Sequence, residues 1–267
     1  MASGSPLGEF LKARRGRVSP SRADLSVSGR RRVPGLRRDE LARLAGISEP
    51  YLVRLEQGVD RHPSPQVLRA LAQALELDAD ASAHLFSLAA EPVRPGDEQV
   101  PEHEPEVSAE VHQLLDGWSG SPAYVRNRRF DVLAANKWAR ALGPMYEPGR
   151  NLARDVFLSP EARRLFPDWP EIAAQTAAAL RAEADPHDPR TAALIGDLEA
   201  DEDFRRSWAR HDARPSRDEL KRFHHPDVGD LALRRQALTV GGAEHQVIIV
   251  YQAAPGSPSE AALARLL

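Results

Sequence analysis

Apolar residues recur at helical spacing in five separate runs along the first ninety residues. Leu7, Phe10 and Leu11 predict an amphipathic helix over 7–17, its other side basic with Lys12, Arg14, Arg15 and Arg17. From Arg38 to Gly58 the chain reads RDELARLAGISEPYLVRLEQG, two short helices around a tight turn. Leu41, Ala42, Leu44 and Ala45 are expected to face inward from the first of these, and Leu52 and Leu55 from the second. Gly46 stands where the chain must turn sharply, and a residue without Cβ tolerates positive φ there. Ile47 plugs the space between the helices. Ser48 is a natural N-cap, and Pro50 falls in the first turn, where its missing N–H costs nothing. A Ser64-Pro65 cap then opens a run with Val67, Leu68, Leu71, Leu75 and Leu77 inward, and Leu85, Phe86 and Leu88 mark a last helix over 81–90.

The pattern then breaks. Residues 91–106, EPVRPGDEQVPEHEPE, are rich in proline and acid and nearly devoid of large apolar side chains, so they predict a linker between domains at 1–90 and 107–267. Beyond it, a helix is expected over 107–115. SPAYVRN and RFDVLAAN alternate like the arms of a β-hairpin, and Asn136 opens a helix ending at Gly143-Pro144. Helical runs follow at 151–157, 161–165, 170–183, 191–199 and 202–211. Strands close the chain at 221–225, 231–238 and 246–252, with Gly241-Gly242 turning between the last two. Two strands, a helical middle and three strands predict an α+β domain, a sheet with helices on one side. The first domain is all-α, with five helices.

Composition narrows the class. Among 267 residues there is no cysteine, which removes disulfides, Cys-ligated zinc and a thiol nucleophile. No apolar run approaches the roughly 20 residues that span a bilayer, and the start lacks a secretory apolar stretch. A soluble cytoplasmic protein without membrane contact is expected. The net charge of −3 hides an asymmetry: residues 1–61 carry 13 Lys or Arg against 7 Asp or Glu, a surplus of +6 that leaves −9 for the remainder. A basic head on an acidic body is expected when only one end meets phosphate.

The outward row of the second turn helix is Ser48, Glu49, Pro50, Tyr51, Val53, Arg54 and Gln57. A mostly polar row on such a helix can read base edges in the major groove of double-stranded DNA. Arg54 and Gln57 are the base-reading candidates; Arg37, Arg38 and Tyr51 are placed on phosphates. Arg30, Arg31 and Arg32, in the loop VSPSRADLSVSGRRRVPG, can lie along the backbone with them. The turn segment closely resembles the Cro/repressor-like (XRE) family, in which RLEQG commonly ends the recognition helix.

The order of elements in the second domain resembles a PAS-like sensor. Its strings SPAYVRNRRFDVLAANKWARAL, DPR at 188–190, FRRSWARHD, HHPDVGDL and YQAAPGSPSEAALARLL resemble the ligand-binding domain of MmyB-like transcription regulators, as does RRVPGLRRDELA in the head. That resemblance implies a regulator whose C-terminal half binds a hydrophobic small molecule, with a long-chain fatty acid the suggested ligand and no other cofactor. Ligand pockets are mostly apolar with few polar anchors. Trp138, Phe157, Trp208 and Tyr251 are the expected lining, and Arg210 and His211 the expected carboxylate anchor. The alternative is a C-terminal half that serves only dimerisation or a protein partner. A homodimer on a near-palindromic operator is expected in either case.

His224-His225 invites a metal, with His211, His187 and Asp227 as companions, but adjacent residues of a strand point to opposite faces. One buried, hydrogen-bonded histidine beside an exposed one is expected instead. The chain holds no phosphate-cradling glycine motif, no GxSxG elbow and no HExxH helix, so no enzyme is expected and no residue is assigned a catalytic role.

Overall fold

The computed structural model describes residues 5–19, 35–90, 106–215 and 219–267, apart from the Glu244 side chain. Arg30, Arg31 and Arg32 and nearly all of the expected linker lie outside these residues. The chain divides into two compact units, Met1–Glu98 with Trp208–Arg214, and Gln99–Ser207 with Pro215–Leu267.

The first unit contains α1 (Pro6–Arg15), α2 (Arg38–Leu44), α3 (Glu49–Glu56), α4 (Pro65–Ala74) and α5 (Ala79–Ala89). Four of the five open on a side-chain cap, from Ser5, Ser48, Ser64 and Asp78, that satisfies an orphan N–H of the first turn. Their apolar stripes meet in one core around Phe10, Leu11, Leu41, Leu52, Leu55, Leu71 and Leu85. At Gly8, α1 crosses the end of α3 so closely that a Cβ would lie 2.4 Å from the Glu56 carbonyl oxygen. Leu44 does not join the core and remains 39% exposed. Leu41, Ala42 and Ala45 share an arc of about 100° on the helix, and Leu44 falls outside it.

The second unit opens with α6 (Ala109–Gly117), then β1 (Ala123–Arg126) and β2 (Val132–Ala135). The helical middle comprises α7 (Lys137–Leu142), a 3-10 turn (Pro144–Tyr146), α8 (Leu152–Leu158), α9 (Pro160–Leu165), α10 (Trp169–Glu183), α11 (Pro189–Leu198) and α12 (Glu202–Trp208). β3 (Glu219–His225), β4 (Gly229–Val240), β5 (Ala243–Gln252) and α13 (Pro258–Leu263) complete it. The sheet is antiparallel throughout in the order β2-β1-β5-β4-β3, a PAS-like α+β arrangement.

Period-two alternation sorts the sheet into two covered faces. Tyr124, Arg126, Phe223, Arg235 and Tyr251 point toward the helical middle, where the Tyr146 ring lies 5.0 Å from Tyr124 and Phe166 5.3 Å from Phe223. Ala123, Val125, Ile248 and Val250 point the other way and pack under Val111 and Leu115 of α6. Helices therefore lie on both sides, and β1 and residues 248–251 of β5 are buried on both faces. Asn136 does more than cap α7. Its Oδ1 accepts from Ala139 and Ala123 N–H, while its Nδ2 donates to the carbonyls of Leu115 and Ser121, joining α6, β1 and α7.

Two ends differ from expectation. The helix at 202–211 stops at Trp208, because His211 adopts φ +50 and its N–H closes a turn on the Trp208 carbonyl at 3.1 Å. α13 was not expected, although Ser257-Pro258 repeats the cap signature of Ser64-Pro65. Its Ser259 hydroxyl accepts from Ala232 N–H at 2.9 Å, covering β4 where β5 has already ended.

Candidate nucleic-acid interface and ligand cleft

The turn between α2 and α3 has the local geometry its residues dictate. Gly46 takes φ +65, and Ser48 Oγ accepts from Tyr51 N–H at 3.3 Å. On the outward face of α3, Ser48, Glu49, Pro50, Arg54 and Gln57 are exposed, while Tyr51 and Val53 are half-buried. Burial, followed by the nearby Asp60 carboxylate, raises the Tyr51 phenol above its ordinary value, with Arg54 opposing. Arg37 precedes α2 with its side chain exposed, and its N–H donates to Glu40 Oε2 at 2.6 Å.

Arg38 has a partner that sequence reasoning missed. Glu56 is completely buried, and its carboxylate accepts from Arg15 Nε and Arg38 Nε, each at 2.7 Å. Arg15 also donates to the Leu36 carbonyl at 2.9 Å. One anion thus ties the end of α1 and the start of α2 to the end of α3. A signal was present, since Glu56 follows Leu52 by four residues and so shares its inward face. Arg38 remains 46% exposed at its side chain, leaving the rest of its guanidinium toward solvent. Beyond α3, Arg54 Nη2 pairs with Asp60 Oδ2 at 2.6 Å.

In the second unit a cleft of about 790 Å3 opens between α7, the 3-10 turn, α8, α9 and the end of β3. Its floor is apolar, built from Leu142, Pro144, Met145, Ala162 and Leu165. Arginines 140, 150 and 164 stand on its wall with Glu147, Asp155 and Glu161. Arg150 is tied to Asp155, whose hydrogen bond raises the guanidinium pKa further. Arg164 pairs with Glu161 at 3.2 Å, and the Ser159 hydroxyl holds the Glu161 carboxyl below its usual value. Arg140 makes no ion pair among the described residues.

None of the six expected ligand residues lines this cleft. Tyr251 sits in the core with Tyr124, Tyr146 and Phe223 around it, at ring distances of 6.3, 6.2 and 5.3 Å. Phe157 packs edge-on against Phe204 and Trp169. Trp138 is half-buried on α7, beneath the Lys137 ammonium. Trp208, the last residue of α12, and Arg210 and His211 beyond it belong to the first unit. In that unit Arg210 is exposed and pairs with Asp212 at 3.1 Å, while Arg17 donates to the Arg210 carbonyl at 2.9 Å.

The histidine pair divides as the strand period requires. His225 is buried, with Nε2 donating to the Ala141 carbonyl at 3.0 Å and Nδ1 accepting from Asp227 N–H at 3.2 Å. Both ring nitrogens are engaged, so His225 stitches β3 to α7. His224 is exposed and meets Asp230 at 2.6 Å. Among the described residues no group of acids and histidines could hold a metal, and no helix is long and apolar enough to cross a membrane.

A helix-turn-helix presenting an exposed recognition face, in one chain with a PAS-like unit that contains an apolar cleft, defines a DNA-binding transcription regulator with a ligand-binding domain. Comparison with protein families bears this out on both sides. A helix-turn-helix domain matches residues 6–85, and the MmyB-like transcription regulator ligand binding domain matches residues 107–267. The chain belongs to the MmyB-like transcription regulators. Both families are regulatory, and neither is enzymatic. Comparison with curated proteins gives no match.

Proposed function

We propose that this regulator binds a near-palindromic operator as a homodimer and that an apolar molecule with an acidic end, a long-chain fatty acid by class, tunes its affinity for DNA. Two copies of α3 enter successive major grooves about 34 Å apart. Ser48, Glu49, Pro50, Arg54 and Gln57 face base edges, with Arg37, Arg38 and Tyr51 on phosphates. The observation that supports the ligand reading is the cleft: apolar residues lie beside arginines, and Arg140 makes no ion pair among the described residues. Such a site suits an acyl chain whose carboxylate is taken by a guanidinium. The ligand changes DNA affinity only by the difference in its affinity for the DNA-competent and incompetent arrangements.

A fluorescent long-chain fatty acid is the probe, titrated into the full chain with and without operator DNA. Stoichiometric binding is expected, weakened about tenfold by Arg140→Ala, the cost of one charged hydrogen bond. The alcohol of the same chain length should bind both proteins alike. If the native protein yields no lipid on extraction and the fatty acid does not bind, the cleft has no such role.

A further inference from the structure

Arg54 is held at both ends by the chain that follows it. Gly58 takes φ +73 directly after α3, and a Cβ there would lie 2.5 Å from Ser5 Cβ, so the chain reverses where a larger residue would not fit. The reversal returns Val59 and Asp60 over the helix end, where their N–H groups donate to the Arg54 carbonyl at 2.9 and 3.3 Å. The same loop sets the Asp60 carboxylate 2.6 Å from Arg54 Nη2. The side chains are unequally exposed, 58% for Arg54 and 32% for Asp60, so the acid stands behind the cation and the cation faces outward.

An ion pair between side chains this exposed contributes little to stability. Its consequence is orientation. A free arginine must surrender much of its rotamer entropy to dock on a base, whereas one already pinned loses less. With one guanidinium nitrogen set against the carboxylate in an ion pair, the others remain for the two acceptors that guanine shows in the major groove, O6 and N7. We propose that Asp60 is a positioning residue that aims Arg54 at a guanine, making Asp60 a determinant of operator sequence although it need not touch DNA. This rests on the reading of Arg54 as a base contact.

The test uses the full chain and operators selected from random DNA by the unaltered protein. Affinity is then measured on the selected site, on the same site with individual G·C pairs exchanged for A·T, and on random DNA. Asp60→Asn keeps the shape and removes the charge. It should reduce the preference for one G·C pair about tenfold, while binding to random DNA tightens because a negative charge beside the phosphates is gone. A purely structural role would not move one base preference and non-specific affinity in opposite directions. If Asp60→Asn strengthens binding to every sequence equally, Asp60 only repels phosphate and the proposal falls. If Arg54→Ala abolishes the G·C preference but Asp60→Asn leaves it intact, Arg54 reads the base unaided and the proposal also falls. If Arg54→Ala alters no base preference, the base-contact reading itself fails, and the proposal with it.

Discussion

Glu56 in the first unit and Arg126 in the second are both shut away from water, at 0% and 2% exposure, yet they are compensated differently. Glu56 is gripped by two arginines from separate helices, and one of them, Arg38, continues to the surface beside the recognition helix. Arg126 is satisfied within its own unit: Glu183 at 2.6 Å, the Asn127 carbonyl at 3.0 Å and the Phe130 ring 4.1 Å beneath its guanidinium. Burying a charge is costly unless it is paired and hydrogen-bonded. The first unit meets that cost partly with Arg38, which also reaches the surface beside the recognition helix, the second with groups that hold β1 to α10. Perturbing Glu56 should therefore register in stability and DNA binding together, and perturbing Arg126 in stability alone.

The largest expected separation of the two units is by alkaline pH. Burial, and then the neighbouring Tyr251 phenol, push Tyr124 and Tyr146 well above the ordinary 10.0. Below that value the phenols are neutral in both folded and unfolded chains. Above it the unfolded chain ionises and the folded one resists, so the stability of the second unit falls as pH rises toward the folded values. The first unit, whose Tyr51 is half-exposed, should outlast it. Tyrosinate absorbance and circular dichroism, followed together, check this; phenols that ionise near their ordinary value without loss of structure would contradict it.

Glu56→Ala comes next. It leaves Arg15 and Arg38 facing each other without their anion, at a cost of about 3 kcal/mol. A lowered melting temperature for the first unit and weaker operator binding, measured below that temperature, are expected together. Unchanged DNA affinity would detach the ion cluster from the interface. Arg126→Leu should cost about 2 kcal/mol, less because Glu183 retains some access to water. Operator affinity measured without ligand should not move; if it falls, the two buried ions are not as separate as their partners indicate.

What the sequence revealed follows the same division. Gly46, Ser48 and Pro50 act within a few residues of themselves, so the recognition helix could be placed from its own string. Glu56 was half legible: its inward face follows from Leu52, but Arg15 lies 41 residues away and Arg38 18, and no local pattern pairs them. Leu44 misled because an apolar residue in an apolar run is readily taken as core. The cleft was illegible, since α7, α9 and β3 bring Arg140, Ala162 and His225 together across long stretches of chain. The aromatic residues that drew attention instead, Phe157 and Tyr251 among them, are those large enough to be needed for the core.

The smallest effect is the sharpest probe of the head. Ser48 Oγ accepts one N–H at the start of α3, and removing it should cost about 1 kcal/mol. Ser48→Ala strips the cap without touching Glu56 or its arginines, so a loss of operator binding beyond that stability change reports on the first turn of α3 and on the Ser48 hydroxyl itself. Chemical denaturation and operator titration of one preparation separate the two contributions. Loss confined to selected sites, with random DNA bound as before, would place base reading in that first turn. An equal loss on both would assign the Ser48 hydroxyl to the phosphate backbone.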